Sequence, residues 1–184
     1  MIYEAKKEDR MKRTFPLLLI IFFCVSSIIL FSQEFTYVGA GKCKMCHKSE
    51  KRGQQYPLWE AQKHSKAFSA LASEKALDIA KKLELETSPT ENEKCLKCHS
   101  PLFSMAEEVK EEGVTCEVCH GPGSAYKKLS IMKDREEAVK NGLVLYESAE
   151  AIKAQCLTCH ENAHGTTFDF EAAWEKVKHP VPEM

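Results

Sequence analysis

The feature that most constrains this chain is a five-residue motif, C-x-x-C-H, which occurs four times. The copies run from Cys43 to His47, Cys95 to His99, Cys116 to His120 and Cys156 to His160. The motifs contain every cysteine that follows Cys24, namely Cys43, Cys46, Cys95, Cys98, Cys116, Cys119, Cys156 and Cys159. Each pair of thiols is therefore followed directly by an imidazole.

C-x-x-C-H is the attachment sequence for c-type haem. The two thiols bond covalently to one edge of the porphyrin, and the adjacent histidine binds the iron axially. The two residues between the cysteines set the separation of the thiols and are otherwise free to vary. The sequence therefore predicts four covalent haem c groups, with axial iron ligands at His47, His99, His120 and His160.

Three other uses of paired cysteines compete with haem attachment. Exported proteins carry structural disulfides. The 17 residues between Cys98 and Cys116 fit the spacing of a zinc ribbon. A thioredoxin-like redox site needs one such pair in a βαβ setting, which is not visible here. None of the three explains a histidine after every pair.

The N-terminus has the layout of a secretory signal peptide. A basic start at 11–13 is followed by an apolar run from Phe15 to Phe31 and a small residue at Ser32. We therefore predict an N-terminal extension and signal peptide over 1–32 and a tetrahaem domain over 33–184. Export would place this domain in the periplasm or on the outer surface of a bacterium. The run of about 17 apolar residues is near the lower limit for crossing a bilayer, so an uncleaved leader would act as a membrane anchor.

The segments between the motifs predict a mainly α protein with little or no sheet, its helices and loops wrapped around four haems. Helices are expected from Tyr56 to Ser73, after a cap at Ser73, after a capping box at Thr90 and after Asp169. The best strand candidate is short, at 35–39. Four haems in about 150 residues would supply much of the apolar core.

In its order of motifs the chain resembles the cytochrome c-554 family of tetrahaem cytochromes. The matching stretches are YVGAGKCKMCHK, WEAQKHSKAF, CLKCHS, GVTCEVCHGPGSAY, CLTCH and KHP, and the resemblance extends over essentially the whole of 33–184. The resemblance implies a mostly helical fold around closely packed haems. It also implies electron transfer in a periplasmic or outer-surface respiratory chain.

Counting histidines shows that one haem lacks a second histidine. Four haems have eight axial positions, whereas 33–184 contain seven histidines. Beyond the motifs these are His64, His164 and His179. The resemblance implies that His64 and His179 are distal ligands. If a helix continued past His160, His164 would face the same side as His160, so it would serve another haem or be solvated.

The missing ligand has three possible sources. Met132 could bind the iron and raise its potential. A neighbouring subunit could supply the ligand, which would imply self-assembly. The iron could also stay open to a small molecule. Tyr126 stands near a position where some relatives have a histidine, so the family's bis-histidine pattern is not carried over whole.

We expect an electron carrier that works with redox partner proteins, rather than an enzyme. The alternatives are a reductase of a small nitrogen oxide at an open haem, with Tyr126 or His164 as proton donor, and a subunit of a conductive filament. No strong basic excess or basic–aromatic interleaving indicates nucleic acid as a partner. Segment 42–66 contains seven basic and two acidic residues, whereas segment 91–117 contains three basic and seven acidic residues. These totals predict two surfaces of opposite charge.

Overall fold

The computed structural model describes residues 34–161 and 163–181. Contacts divide the chain into two units, Met1–Glu34 and Phe35–Met184, and the elements below belong to the second. Helices hold 57% of the described residues, which contain no strand, so the mainly α prediction is confirmed. The signal peptide predicted over 1–32 lies outside the described residues.

The described part of the chain contains nine α-helices, joined by short 3₁₀ turns and loops. They are α1 Ala40–His47, α2 Gln55–Glu60, α3 Glu74–Lys82, α4 Glu93–His99, α5 Cys116–His120, α6 Leu129–Met132, α7 Arg135–Lys140, α8 Ala149–His160 and α9 Phe170–Val177. The 3₁₀ turns are Glu50–Arg52, His64–Lys66, Ser69–Ala72, Glu107–Glu112 and Ala163–Gly165. Helix α1 packs against both α2 and α5.

Local capping accounts for most of the helix starts. The hydroxyl of Ser73 accepts from Ala76 N, and the carboxylate of Asp169 accepts from Ala172 N, so both predicted caps are confirmed. The capping box at Thr90 is wrong, because Asn92 caps α4 by accepting from Lys94 N at 3.0 Å. The Thr90 hydroxyl instead bonds Ser88.

The helix expected from Tyr56 to Ser73 is broken. It ends at Glu60 and gives way to the turns 64–66 and 69–72. The carbonyl of His64, which a continuing helix would offer to residue 68, accepts from Val114 N at 3.0 Å and from Ala67 N at 3.2 Å. A contact with a distant loop thus overrides local helix propensity.

Segment 35–39, the strand candidate, forms no ladder. It is tied to the loop after α5, because Thr36 N donates to the Ser124 hydroxyl at 2.9 Å and Ser124 N donates to Thr36 O at 3.1 Å. Tyr37 packs with Val118 against a small cluster of buried apolar side chains, Leu102, Ala106 and Val109. The N-terminal segment is therefore anchored to the third motif rather than to a sheet.

Within the described residues, no helix has the length and apolar character needed to cross a membrane.

Candidate haem sites

Each of the four motifs occupies the last turn of a helix. Helices α1, α4, α5 and α8 end at His47, His99, His120 and His160 respectively. In a helix, residues three apart lie on one face, so the two thiols of each motif point the same way. The histidine follows at the helix end, where it is free to turn toward a ring bound by those thiols.

Six of the seven histidines after residue 33 stand in three pairs. The ring centroids of His64 and His160 are 6.2 Å apart, those of His99 and His164 are 6.1 Å apart, and those of His120 and His179 are 5.8 Å apart. Metal–imidazole bonds of about 2.0 Å on two sides of one ion, plus the distance from each nitrogen to its ring centre, span about 6 Å. Each pair therefore leaves room for one iron and joins a motif histidine to a histidine from elsewhere in the chain.

His164 is brought into its pair by a sharp backbone turn. Helix α8 stops at His160, and His164 adopts a left-handed backbone conformation with φ +54°. Its ring consequently meets His99 of the second motif, whereas a continuing helix would have kept it on the side of His160. Of the two roles considered for His164, this geometry favours that of a ligand to another motif's haem.

Two motif histidines are oriented through Nδ1. The Nδ1 atom of His99 lies 2.8 Å from Ala67 O, and because a carbonyl can only accept, this nitrogen donates. The Nδ1 atom of His47 lies 3.1 Å from the side-chain oxygen of Gln55, whose amide nitrogen donates to Pro180 O at 2.8 Å. In both cases Nε2 is left free for a metal, as is usual for ligating histidines.

Burial lowers the pKa of three of the paired imidazoles, those of His64, His120 and His160, and so favours the neutral form that binds a metal. Desolvation lowers the pKa of His120 to about 4, and the electrostatic influence of the neighbouring His179 and His47 adds to the effect. Desolvation also lowers the pKa of His64, and the electrostatic influence of His160 adds a smaller effect in the same direction. The ring of Phe168 stacks on the ring of His160 with 4.5 Å between the ring centroids, which further restrains His160.

His47 is the histidine left over from the three pairs. Its polar contact is the amide of Gln55. Met132, the sulfur ligand considered above, is half-buried at the end of α6, and α6 packs against α7. Met132 as an iron ligand stays a prediction. Tyr126 is buried with its hydroxyl donating to Gly121 O at 2.8 Å, so its proton is already used by the backbone.

Thiols of different motifs lie next to each other. A hydrogen bond between the thiols of Cys43 and Cys116 lowers the pKa of Cys43 and raises that of Cys116. Burial, followed by the influence of Cys159, raises the pKa of Cys98 to about 11. The first motif thus lies beside the third, and the fourth lies beside both the second and the third, because Cys156 and Cys159 both act on the buried thiol of Cys119. Motif spacing along the chain does not predict this arrangement.

The donor set fits haem c better than the alternatives. All eight motif thiols are free and half-buried, so each is available for attachment. Residues 34–161 and 163–181 hold no cluster of three or more histidine, cysteine or acidic side chains placed to bind one metal ion. The cysteines of the second and third motifs face other motifs rather than each other, whereas a zinc ribbon would gather them into one group.

The loop that precedes α5 fixes the position of His64. Val114 N donates to His64 O at 3.0 Å, and the indole of Trp59 donates to Val114 O at 2.8 Å. Gly113 allows this approach, because it has φ +70° and a Cβ there would lie 2.7 Å from His64 O. The contact ties His64, which faces His160 of the fourth motif, to the segment that leads into the third motif.

Sequence reasoning missed Glu117, one of the two inner residues of the third motif. Its side chain is 1% exposed. Its carboxylate accepts from Val38 N at 3.0 Å, from Gly39 N at 2.7 Å and from Gly123 N at 2.6 Å. The prediction that the residues between the two cysteines are free to vary is therefore wrong for the third motif. The C-x-x-C-H spacing gives no signal of this role, because two of the three partners of Glu117, Val38 and Gly39, lie 79 and 78 residues away in the chain.

Helices that end in C-x-x-C-H, free thiols and facing histidine rings fit the way a c-type cytochrome holds covalently bound haem. Residues 42–121 match the family described as cytochrome c554 and c-prime. The chain is 25% identical over 164 residues to a protein named cytochrome c-554 from Nitrosomonas europaea, a match that covers 78% of this chain and 63% of that protein. The chain thus spans less than two thirds of the length of this relative. No solved structure matches the chain. The comparisons confirm the resemblance to the cytochrome c-554 family.

Proposed function

We propose that this protein is an exported tetrahaem cytochrome that carries electrons in a respiratory chain. The observation that carries the proposal is the set of three histidine pairs, each about 6 Å across and each containing one motif histidine. A haem held between two strong ligands keeps a similar geometry in both oxidation states and supplies one-electron chemistry.

The role of the polypeptide is to hold these haem sites in fixed positions close together. Burial favours the neutral form of His64, His120 and His160, and the hydrogen bond from Nδ1 of His99 to Ala67 O orients the ring of His99. The contacts of Cys43 with Cys116 and of Cys98 with Cys159 bring attachment points of different motifs next to each other. Neighbouring attachment points favour electron hopping between sites of one molecule.

The proposal is tested on protein produced with a haem-attachment system. Mass spectrometry should find four haems on one chain, and the absorbance spectrum should change reversibly during reductive and oxidative titration. A chain with fewer than four haems after full loading would contradict the tetrahaem assignment. Irreversible reduction would contradict the role of carrier.

A second function is favoured by one observation, the unpaired ring of His47. An iron bound there would have no second histidine from the same chain, and it could bind a small molecule such as a nitrogen oxide. Tyr126 is a poor proton donor for such a reaction because its hydroxyl is buried and bonded to Gly121 O. Binding of nitric oxide by the oxidised, fully loaded protein at one site in four would favour the reductase.

The same site also permits a filament. If a neighbouring subunit supplies the ligand opposite His47, the iron at His47 should change its spin state as the protein is diluted. A spin state that stays constant on dilution would exclude this arrangement.

A further inference from the structure

The proposed electron-transfer function assigns no role to the buried carboxylate of Glu117. It lies on α5, between Cys116 and Cys119, and is almost completely removed from solvent. No ion pair identified in the described residues involves it; its contacts are backbone N–H groups. Burying a carboxylate is costly unless hydrogen bonds compensate, and three backbone donors do so here.

These donors belong to two separated stretches of chain. Val38 and Gly39 directly precede α1, the helix that carries the first motif. Gly123 belongs to the loop that follows the third motif, and a Cβ at this position would lie 2.9 Å from the Glu117 carboxylate. One side chain of the third motif therefore holds the start of the first motif's helix and the exit from its own.

Glu112 strengthens the same junction. Its carboxylate accepts from Ala40 N at 2.7 Å, the first residue of α1. Together the two carboxylates satisfy N–H groups at and just before the helix start, where negative charge also complements the helix dipole. Glu112 is only half-buried, whereas Glu117 is shielded from water.

The carboxylate lies close to the attachment points of two motifs. Its negative charge partly opposes the lowering of the pKa of Cys43 that the hydrogen bond with Cys116 causes, so it acts on a thiol of the first motif. Charge in a water-excluded interior acts more strongly than charge at the surface. A fixed negative charge stabilises the more positive, oxidised state of an adjacent iron.

We propose that Glu117 is a positioning residue that locks the first and third motifs together and lowers the potentials of the haem sites on these two motifs relative to the other two. The inference rests on the proposed electron-transfer function for its redox part. The locking part concerns the polypeptide alone. Each site gains or loses one electron, exchanged with a redox partner, and no bond to Glu117 is made or broken.

The main experiment is a spectroelectrochemical titration of the fully haem-loaded Glu117→Gln variant. The substitution keeps size and removes charge, so the midpoints of two of the four sites should rise while the other two stay in place. Glu111→Gln is the matched control, because this carboxylate lies six residues away and is exposed. It should leave all four midpoints unchanged.

The shifted midpoints can be assigned to motifs with methionine markers. A methionine ligand raises the potential of its own site. His179→Met should mark the third motif, whereas His64→Met should mark the fourth. The proposal is overturned if Glu117→Gln moves no midpoint, moves all four equally or moves those of the second and fourth motifs.

A measurement on the unaltered protein tests the locking part even if Glu117→Gln fails to assemble. The amides of Val38, Gly39 and Gly123 should be strongly protected from hydrogen exchange, because all three donate to a buried acceptor. Rapid exchange at these amides would overturn the proposed lock. Because this readout needs no electron transfer, it separates failure of the lock from failure of the carrier function.

Discussion

Gly113 offers a direct way to move His64, the histidine that faces His160, without substituting it. Its backbone has φ +70° and ψ −128°, a conformation that is essentially restricted to glycine. Replacing it by alanine should cost about 1–3 kcal/mol from backbone strain alone. The added Cβ would also lie 2.7 Å from His64 O, against 3.4 Å or more for ordinary contact.

Relief of this clash requires His64 or the loop to move by about 0.7 Å. Metal–ligand distances tolerate a change of about 0.2 Å. The Gly113→Ala variant should therefore loosen the pairing of His64 with His160 and give a high-spin signal from the fourth motif. Its melting temperature should fall by roughly 5–10 °C, as expected for a loss of about 2–3 kcal/mol in a domain of this size.

The assay combines paramagnetic resonance of the oxidised protein with thermal unfolding. Gly41→Ala is the matched control, because Gly41 lies within α1 and a Cβ added there would meet nothing within 4 Å outside the helix's own backbone. Alanine there should be neutral or stabilise by up to about 1 kcal/mol, since glycine disfavours helix interiors. Unchanged spin states and an unchanged melting temperature in Gly113→Ala would refute the assigned role of the loop.

Three further predictions concern other parts of the site. Replacing His179 by alanine should convert the third motif to high spin and leave the second and fourth low-spin; a spectrum with unchanged spin states would show that His179 does not face His120. Replacing Gln55 by leucine removes the acceptor for Nδ1 of His47, so it should shift one midpoint potential in four and leave the others in place; four unchanged midpoints would contradict this link. Association with acidic redox partners should slow as ionic strength rises, because all seven basic residues of 42–66 are exposed; a rate independent of salt would remove this surface as a docking site.

Features governed by local chemistry were predictable from the sequence. The four motifs fix the thiol spacing, and each motif does end a helix. Ser73 and Asp169 cap the helices that follow them, because a short polar side chain needs only a backbone N–H two or three residues ahead. The count of seven histidines also predicted that one motif would lack a partner.

Features that depend on distant parts of the chain were not predictable. The helix expected over 56–73 is broken where the carbonyl of His64 bonds Val114, some 50 residues away. The pairing of His99 with His164 depends on a left-handed residue after α8, which no local pattern indicates.

The acidic segment 91–117 is a second case in which sequence alone misleads. It contains seven acidic residues, but Glu117 is buried and Glu112 bonds the start of α1. Five exposed carboxylates remain to face a partner, so the surface is less acidic than the residue count suggests. Charge totals over a segment cannot distinguish a solvated carboxylate from one that caps a distant helix.

The most direct test of the account is the paramagnetic resonance spectrum of the oxidised protein with all four haems attached. Three pairs of facing histidines predict at least three low-spin irons with two imidazole ligands each. The signal of the remaining iron, at His47 of the first motif, should differ from the signals of these three. Two or more high-spin irons in the fully loaded protein would contradict the pairing of the histidines.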